Sequence, residues 1–144
     1  LMEVERQLNS HAVEFKRVML TWNEVMKLAN DGLVFFGCHS HGHINLGKVN
    51  PEMAEWEISK SKNEMEDKVG KLCLLFCYPF GKKNSFNQGV KNLLKLHGFM
   101  AAVTTIPGNV SKSSDLFELR RIAAIDDSSY RFKCSLIGLT LQRG

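Results

Sequence analysis

No apolar run in this chain reaches the roughly 18 consecutive residues that a membrane span requires. A secretion signal is not visible either. The chain begins at Leu1, so the expectation is a C-terminal part of a longer protein whose N-terminus would have carried any such signal. Positive charge is not concentrated: the net charge is +4, with lysines scattered among glutamates. That pattern gives nucleic-acid binding no support, while a polyanionic or zwitterionic glycan remains compatible. The four cysteines (38, 73, 77 and 134) form neither a paired C-x-x-C zinc pattern nor a disulfide framework. Cys73 and Cys77 read as small buried hydrophobes in a strand. Reduced thiols lean towards a cytoplasmic setting, and the location is otherwise open. Internal repeats and low-complexity segments are also missing. Oligomeric state is not legible.

What is present suits a single domain: 144 residues with 44% hydrophobic content can bury a core. Helix and strand signals alternate, which argues an α/β fold with parallel strands. Thr21-x-x-Glu24 is a capping box that opens a helix ending at Gly32, the expected left-handed C′ residue. Leu33–Phe36 reads as a short strand buried on both faces. Asn50-Pro51 supplies an N-cap and an N1 proline for a long helix ending near Gly70, with Met53, Trp56, Met65 and Val69 as its apolar positions. Leu72–Phe76 reads as the next strand, and Ser85-x-x-Gln88 as a second capping box. The helix it opens stops at Gly98, with His97 in a structural role at its end. Phe99–Thr105 is a third expected strand, Arg121–Ile125 a fourth, and Arg131–Leu139 a closing helix. Residues 1–18 form a charged lead-in, 19–138 the domain, and 139–144 a tail.

His39-Ser-His-Gly-His43 places three of the five histidines directly after the first expected strand. Neutral imidazole is a common ligand for zinc and similar ions. A helical turn would put His39 and His43 on one face, whereas an extended segment would align all three. A polar turn of solvated histidines is the plain alternative. Sites in parallel α/β folds gather at the C-terminal ends of strands. His39–His43, Tyr78–Gly81 and Thr104–Gly108 each follow or end an expected strand, so all three are expected on one rim.

Gly37–Leu46 (G-C-H-S-H-G-H-I-N-L) resembles the second motif of polysaccharide deacetylases, the NodB-type homology domain of carbohydrate esterase family four, which reads roughly G-S-H-S/T-x-x-H-P-x-L. Met19–Val25 (M-L-T-W-N-E-V) is similar to the lead-in helix of exopolysaccharide-type members. Phe76–Gly81 (F-C-Y-P-F-G) is similar to their third motif, F-A-Y-P-x-G. Ala101–Gly108 and Leu116–Ile122 match later stretches in the same order. The resemblance runs from about residue 19 to about residue 138.

The resemblance implies part of a distorted (β/α) barrel and a metal-dependent hydrolase that removes N-acetyl or O-acetyl groups from a polysaccharide in exopolysaccharide or cell-envelope metabolism. It implies a divalent metal, expected to be zinc, on His39 and His43, with His41 turned away or supporting the site. It implies that Tyr78, Pro79 and Gly81 line the substrate groove, with the Tyr78 N–H polarising the acetyl oxygen. Arg121 is a candidate for orienting the catalytic aspartate. Ile44 replaces the usual proline, and Cys38 a small serine-like residue. The family's T-F-D-D-G motif, source of the aspartate base and a third ligand, is absent. Asp126-Asp127 is the only Asp-Asp pair and lies too far downstream to replace it. The chain is therefore expected to hydrolyse little by itself. Two alternatives stand beside this reading: a non-catalytic carbohydrate-binding relative, and a different metallohydrolase that uses the His-x-His-x-His cluster.

Overall fold

The computed structural model describes residues 19–122 and the helical position Lys133. The lead-in 1–18, Asp126-Asp127, Cys134, the tail and the rest of the expected closing helix lie outside the described residues. Among these residues no helix is long and apolar enough to cross a membrane.

Helix α1, Trp22–Asn30, starts at the expected capping box: the Glu24 N–H donates to Thr21 Oγ1 at 3.4 Å, and the Thr21 N–H donates back to Glu24 Oε2 at 2.7 Å. Gly32 follows it at φ +76°, the left-handed geometry expected of that position. Helix α2, Pro51–Val69, is capped by Asn50, whose Oδ1 accepts the Met53 N–H at 2.8 Å, and closes at left-handed Gly70. Its buried face differs from the expected one. Ala54, Glu57 and Ile58 point inward, while Met53 and Trp56 remain about half exposed. Trp56 instead sets its ring edge-on against His41.

Strand β1 is Leu75–Cys77, β2 is Ala101–Pro107 and β3 is Leu119–Arg121, forming a parallel sheet in the order β1-β2-β3. The first begins three residues later than expected because residue 73 is held by α2 side chains. The Cys73 N–H donates to Glu66 Oε1 at 2.7 Å, and Lys62 Nζ donates to the Cys73 carbonyl at 2.6 Å. The second begins two residues late because the Phe99 N–H still closes the preceding helix on the Leu94 carbonyl. That helix, α3, spans Gln88–Leu96 and is capped by Asn87 rather than Ser85; Asn87 Oδ1 accepts the Val90 N–H at 3.0 Å. Ser85 is buried in the preceding turn, where its hydroxyl donates to the Lys82 carbonyl. Strand β3 ends at Arg121, the first residue of the expected strand 121–125, whose residues 123–125 lie outside the described residues.

The largest departure is Leu33–Phe36. It is not a buried central strand. Leu33 is 89% and Phe35 83% exposed, and the segment joins the sheet only at Cys38, through a single parallel bridge to Phe76. The core lies between the sheet and helices α2 and α3, built on Leu46, Ile58, Phe76, Tyr78, Leu94, Phe99 and Ala102.

Candidate metal centre and substrate rim

The loop after Cys38 is neither a helical turn nor extended backbone. Ser40 and His43 adopt positive φ, 60° and 53°, and this double bend brings the rings of His39 and His43 to 4.8 Å between centroids at 74°. His39 Nδ1 lies 2.7 Å from the Cys77 carbonyl oxygen. A carbonyl only accepts, so Nδ1 carries the proton and Nε2 keeps its lone pair for an electrophile. A backbone partner of this kind is what fixes the tautomer of a metal-ligating histidine. His41 turns the opposite way, with Nδ1 3.3 Å from Glu64 Oε2 and its ring against Trp56.

The two other rim segments meet this loop. Phe80, at φ 65°, sets its half-exposed ring 5.3 Å from that of His43. The Thr105 N–H donates to the Gly81 carbonyl at 3.0 Å, and the Thr105 hydroxyl to the Phe80 carbonyl at 2.8 Å. Gly81 sits at φ +59°, and a Cβ there would lie 2.5 Å from the Thr105 nitrogen, so no larger residue fits. The three motifs thus share the C-terminal rim of the sheet.

Tyr78 is placed differently from its expected role. Its side chain is fully buried, stacks on Phe86 at 4.3 Å, and donates from its hydroxyl to the Phe117 carbonyl at 2.9 Å. Burial, then the nearby Asp115 and Glu118 charges, push its phenol up from the usual range. Its N–H donates to the Val103 carbonyl at 3.2 Å and so is not free for an acetyl oxygen. Pro79 is also buried. Phe80 is the residue of this motif that faces the histidines, and the sequence reading passed over it. No local pattern marks it, because what gives it significance is His43, far away in the sequence.

Arg121 donates from Nε to the Thr104 carbonyl and braces β3 against β2; among the described residues no carboxylate is paired with it. Cys38, directly before His39, is buried with its sulfur 3.0 Å from that of buried Cys73. The contact with Cys38, against the opposing pull of burial and helped by Lys62, lowers the Cys73 thiol; Cys38 is pushed up, first by Cys73 and then by burial. His97 caps α3 and faces Glu55 at 3.5 Å.

Two adjacent imidazoles with one tautomer fixed fit two positions of a tetrahedral zinc site. No set of three or more His, Cys, Asp or Glu side chains that could hold a metal occurs among the described residues. Fold and rim define a parallel α/β domain with a paired-histidine site at the sheet's C-terminal edge.

A model of the polysaccharide deacetylase family matches residues 4–102, and the chain belongs to that family. It is 23% identical over 103 residues to YxkH of Bacillus subtilis (strain 168), a protein named for the same family, covering 72% of this chain and 36% of YxkH. Among solved structures, it is similar to BC0361, a polysaccharide deacetylase from Bacillus cereus, at TM-score 0.72 and 21% identity, covering 94% of this chain and 47% of that one. It is also similar to the Streptococcus pyogenes deacetylase PplD, solved in complex with acetate, at TM-score 0.66 and 23% identity, covering 72% and 44% of the two chains. The chain thus spans less than half the length of each of these relatives. The parallel α/β arrangement is that of the NodB-type deacetylases, whose domain is a distorted barrel.

Proposed function

We propose that this chain supplies the metal-binding histidines and part of the substrate rim for hydrolytic removal of acetyl groups, N-linked or O-linked, from a polysaccharide of the exopolysaccharide or cell-envelope type. The observation that carries the reading is the His39–His43 pair, with His39 Nδ1 committed to the Cys77 carbonyl. His39 and His43 hold a divalent cation, zinc by the chemistry of the donors. When bound, such an ion polarises an acyl oxygen and lowers the pKa of water. His41 stays with Glu64 and supports the loop. Phe80 forms an apolar wall beside His43, and its N–H, without a partner among the described residues, is offered to the acetyl oxygen. Gly81 and buried Pro79 and Tyr78 shape that wall from beneath. The third ligand and the base come from outside residues 19–122, so this stretch by itself turns over slowly.

The experiment is a zinc titration by calorimetry, joined to an acetate-release assay on N-acetylglucosamine oligomers. One zinc site is expected, lost in His39→Ala and His43→Ala and retained in His41→Ala. Zinc binding untouched by His39→Ala would overturn the assignment. Slow zinc-dependent acetate release, abolished in His39→Ala, is the expected activity. A non-catalytic carbohydrate-binding role is the second reading, favoured by the lack of a third ligand among the described residues. Zinc and oligosaccharide binding without any acetate release would decide for it.

A further inference from the structure

Glu57 is the only charged side chain among the described residues that is buried, at 4% exposure. It lies on the inward face of α2 between Ala54 and Ile58, a position where an apolar side chain would pack without desolvating a charge. Its Oε2 accepts the Gly42 N–H at 2.6 Å, a short charge-assisted bond. A Cβ on Gly42 would fall 2.8 Å from Oε1, so the carboxylate sits close against the loop and would have to shift for any larger residue there. The same helix holds the preceding residue: Glu64 faces His41 Nδ1 at 3.3 Å and Trp56 meets its ring at 5.3 Å. With His41 and Gly42 gripped by α2, the rings of His39 and His43 are left together. The loop needs such a hold, because Ser40 and His43 both occupy left-handed backbone that L-residues leave readily.

We propose that Glu57 is a positioning residue of the histidine site: its carboxylate locks the 39–43 loop through the Gly42 N–H and so keeps His39 and His43 paired. The inference rests on the reading of that pair as metal ligands. Glu57 lies on a helix that contributes no ligand itself, and its effect on the site passes through one backbone amide.

The test uses the whole 144-residue chain with Glu57→Gln, Glu57→Leu and Glu57→Asp, reading zinc affinity, the thermal midpoint and the Gly42 amide proton by NMR. Loss of a group that orients a metal ligand typically weakens metal binding about 10–100-fold. Glu57→Leu is expected to fold with a midpoint near that of the parent, to weaken zinc by about tenfold or more, and to move the Gly42 amide upfield with faster exchange. Glu57→Gln keeps an acceptor oxygen and is expected to retain most of both properties. If the Leu variant fails to fold, Glu57→Asp carries the test. Its shorter arm withdraws from Gly42 and should weaken zinc while Gln does not. Unchanged zinc affinity and an unchanged Gly42 amide in Leu or Asp would overturn the proposal. If the parent binds no zinc, the metal reading fails. The Gly42 amide and the contact between the His39 and His43 rings then judge Glu57 alone: both lost in Leu supports the positioning role, both kept overturns it.

Discussion

Two neighbouring stretches of this chain meet opposite fates. Leu33–Phe36 is apolar throughout, yet Leu33 and Phe35 stand in solvent and the backbone joins the sheet only afterwards, at Cys38. His39–His43 is polar and conformationally awkward, yet it is held from three sides: by the Cys77 carbonyl, by Glu57 and Glu64 of α2, and by the ring of Phe80. Apolar composition alone did not bury the first stretch, and specific partners hold the second. Burial needs a surface to bury against, whereas a backbone amide needs only one well-placed acceptor.

The hardest way to break the held region is Gly81→Ala. The added Cβ meets the Thr105 backbone at 2.5 Å in a left-handed conformation, so strain and overpacking together should cost about 2–4 kcal/mol. Urea denaturation reads this directly, and a loss below about 1 kcal/mol would mean that the rim is softer than its bonds imply. Tyr78→Phe comes next. It strands the buried Phe117 carbonyl, and about 1–2 kcal/mol should be lost, again by denaturation, with zinc binding unchanged because the phenol does not face the histidines.

A smaller effect is expected on acid titration. The Phe117 N–H, then Lys91 at 2.9 Å, hold the Asp115 carboxyl below its ordinary range. A depressed carboxylate stabilises fully above its unfolded value, near 3.9, and the contribution fades as pH falls through the lower folded value. The stability difference between parent and Asp115→Asn should therefore be constant near neutrality and vanish only below about pH 4. It should stay under about 1 kcal/mol, because Asp115 is nearly half exposed. A difference that persisted at lower pH would show that the hydrogen bonds matter without the charge. Least of all should follow from Leu33→Lys or Phe35→Lys. Each should change stability by no more than about 0.5 kcal/mol, and a loss above about 1 kcal/mol would show that this stretch is covered after all.

Local signals were readable wherever the deciding bonds lie within a few residues. Thr21 and Glu24 cap each other, Asn50 caps α2 directly before Pro51, and Gly32 and Gly70 turn left-handed where the helices end. Ser85 shows how far that reasoning extends: the tertiary turn at Lys82 engaged its hydroxyl, and Asn87 took the cap instead. Phe80 and Glu57 were passed over for one reason. Their significance comes from residues 37 and 15 positions away, His43 and Gly42, which no periodicity reveals.

The sequence by itself determined the alternation of helices and strands, the two capped helices and the order of the motifs, because each depends on backbone hydrogen bonds and side-chain periodicity over short distances. Only the tertiary structure decided how the His39 and His43 rings are brought together, that Tyr78 lies inside while Phe80 faces the rim, and that a buried carboxylate grips the loop between them. Those choices follow from which atoms meet across the parallel sheet and its covering helix. A chain cannot specify such meetings one segment at a time.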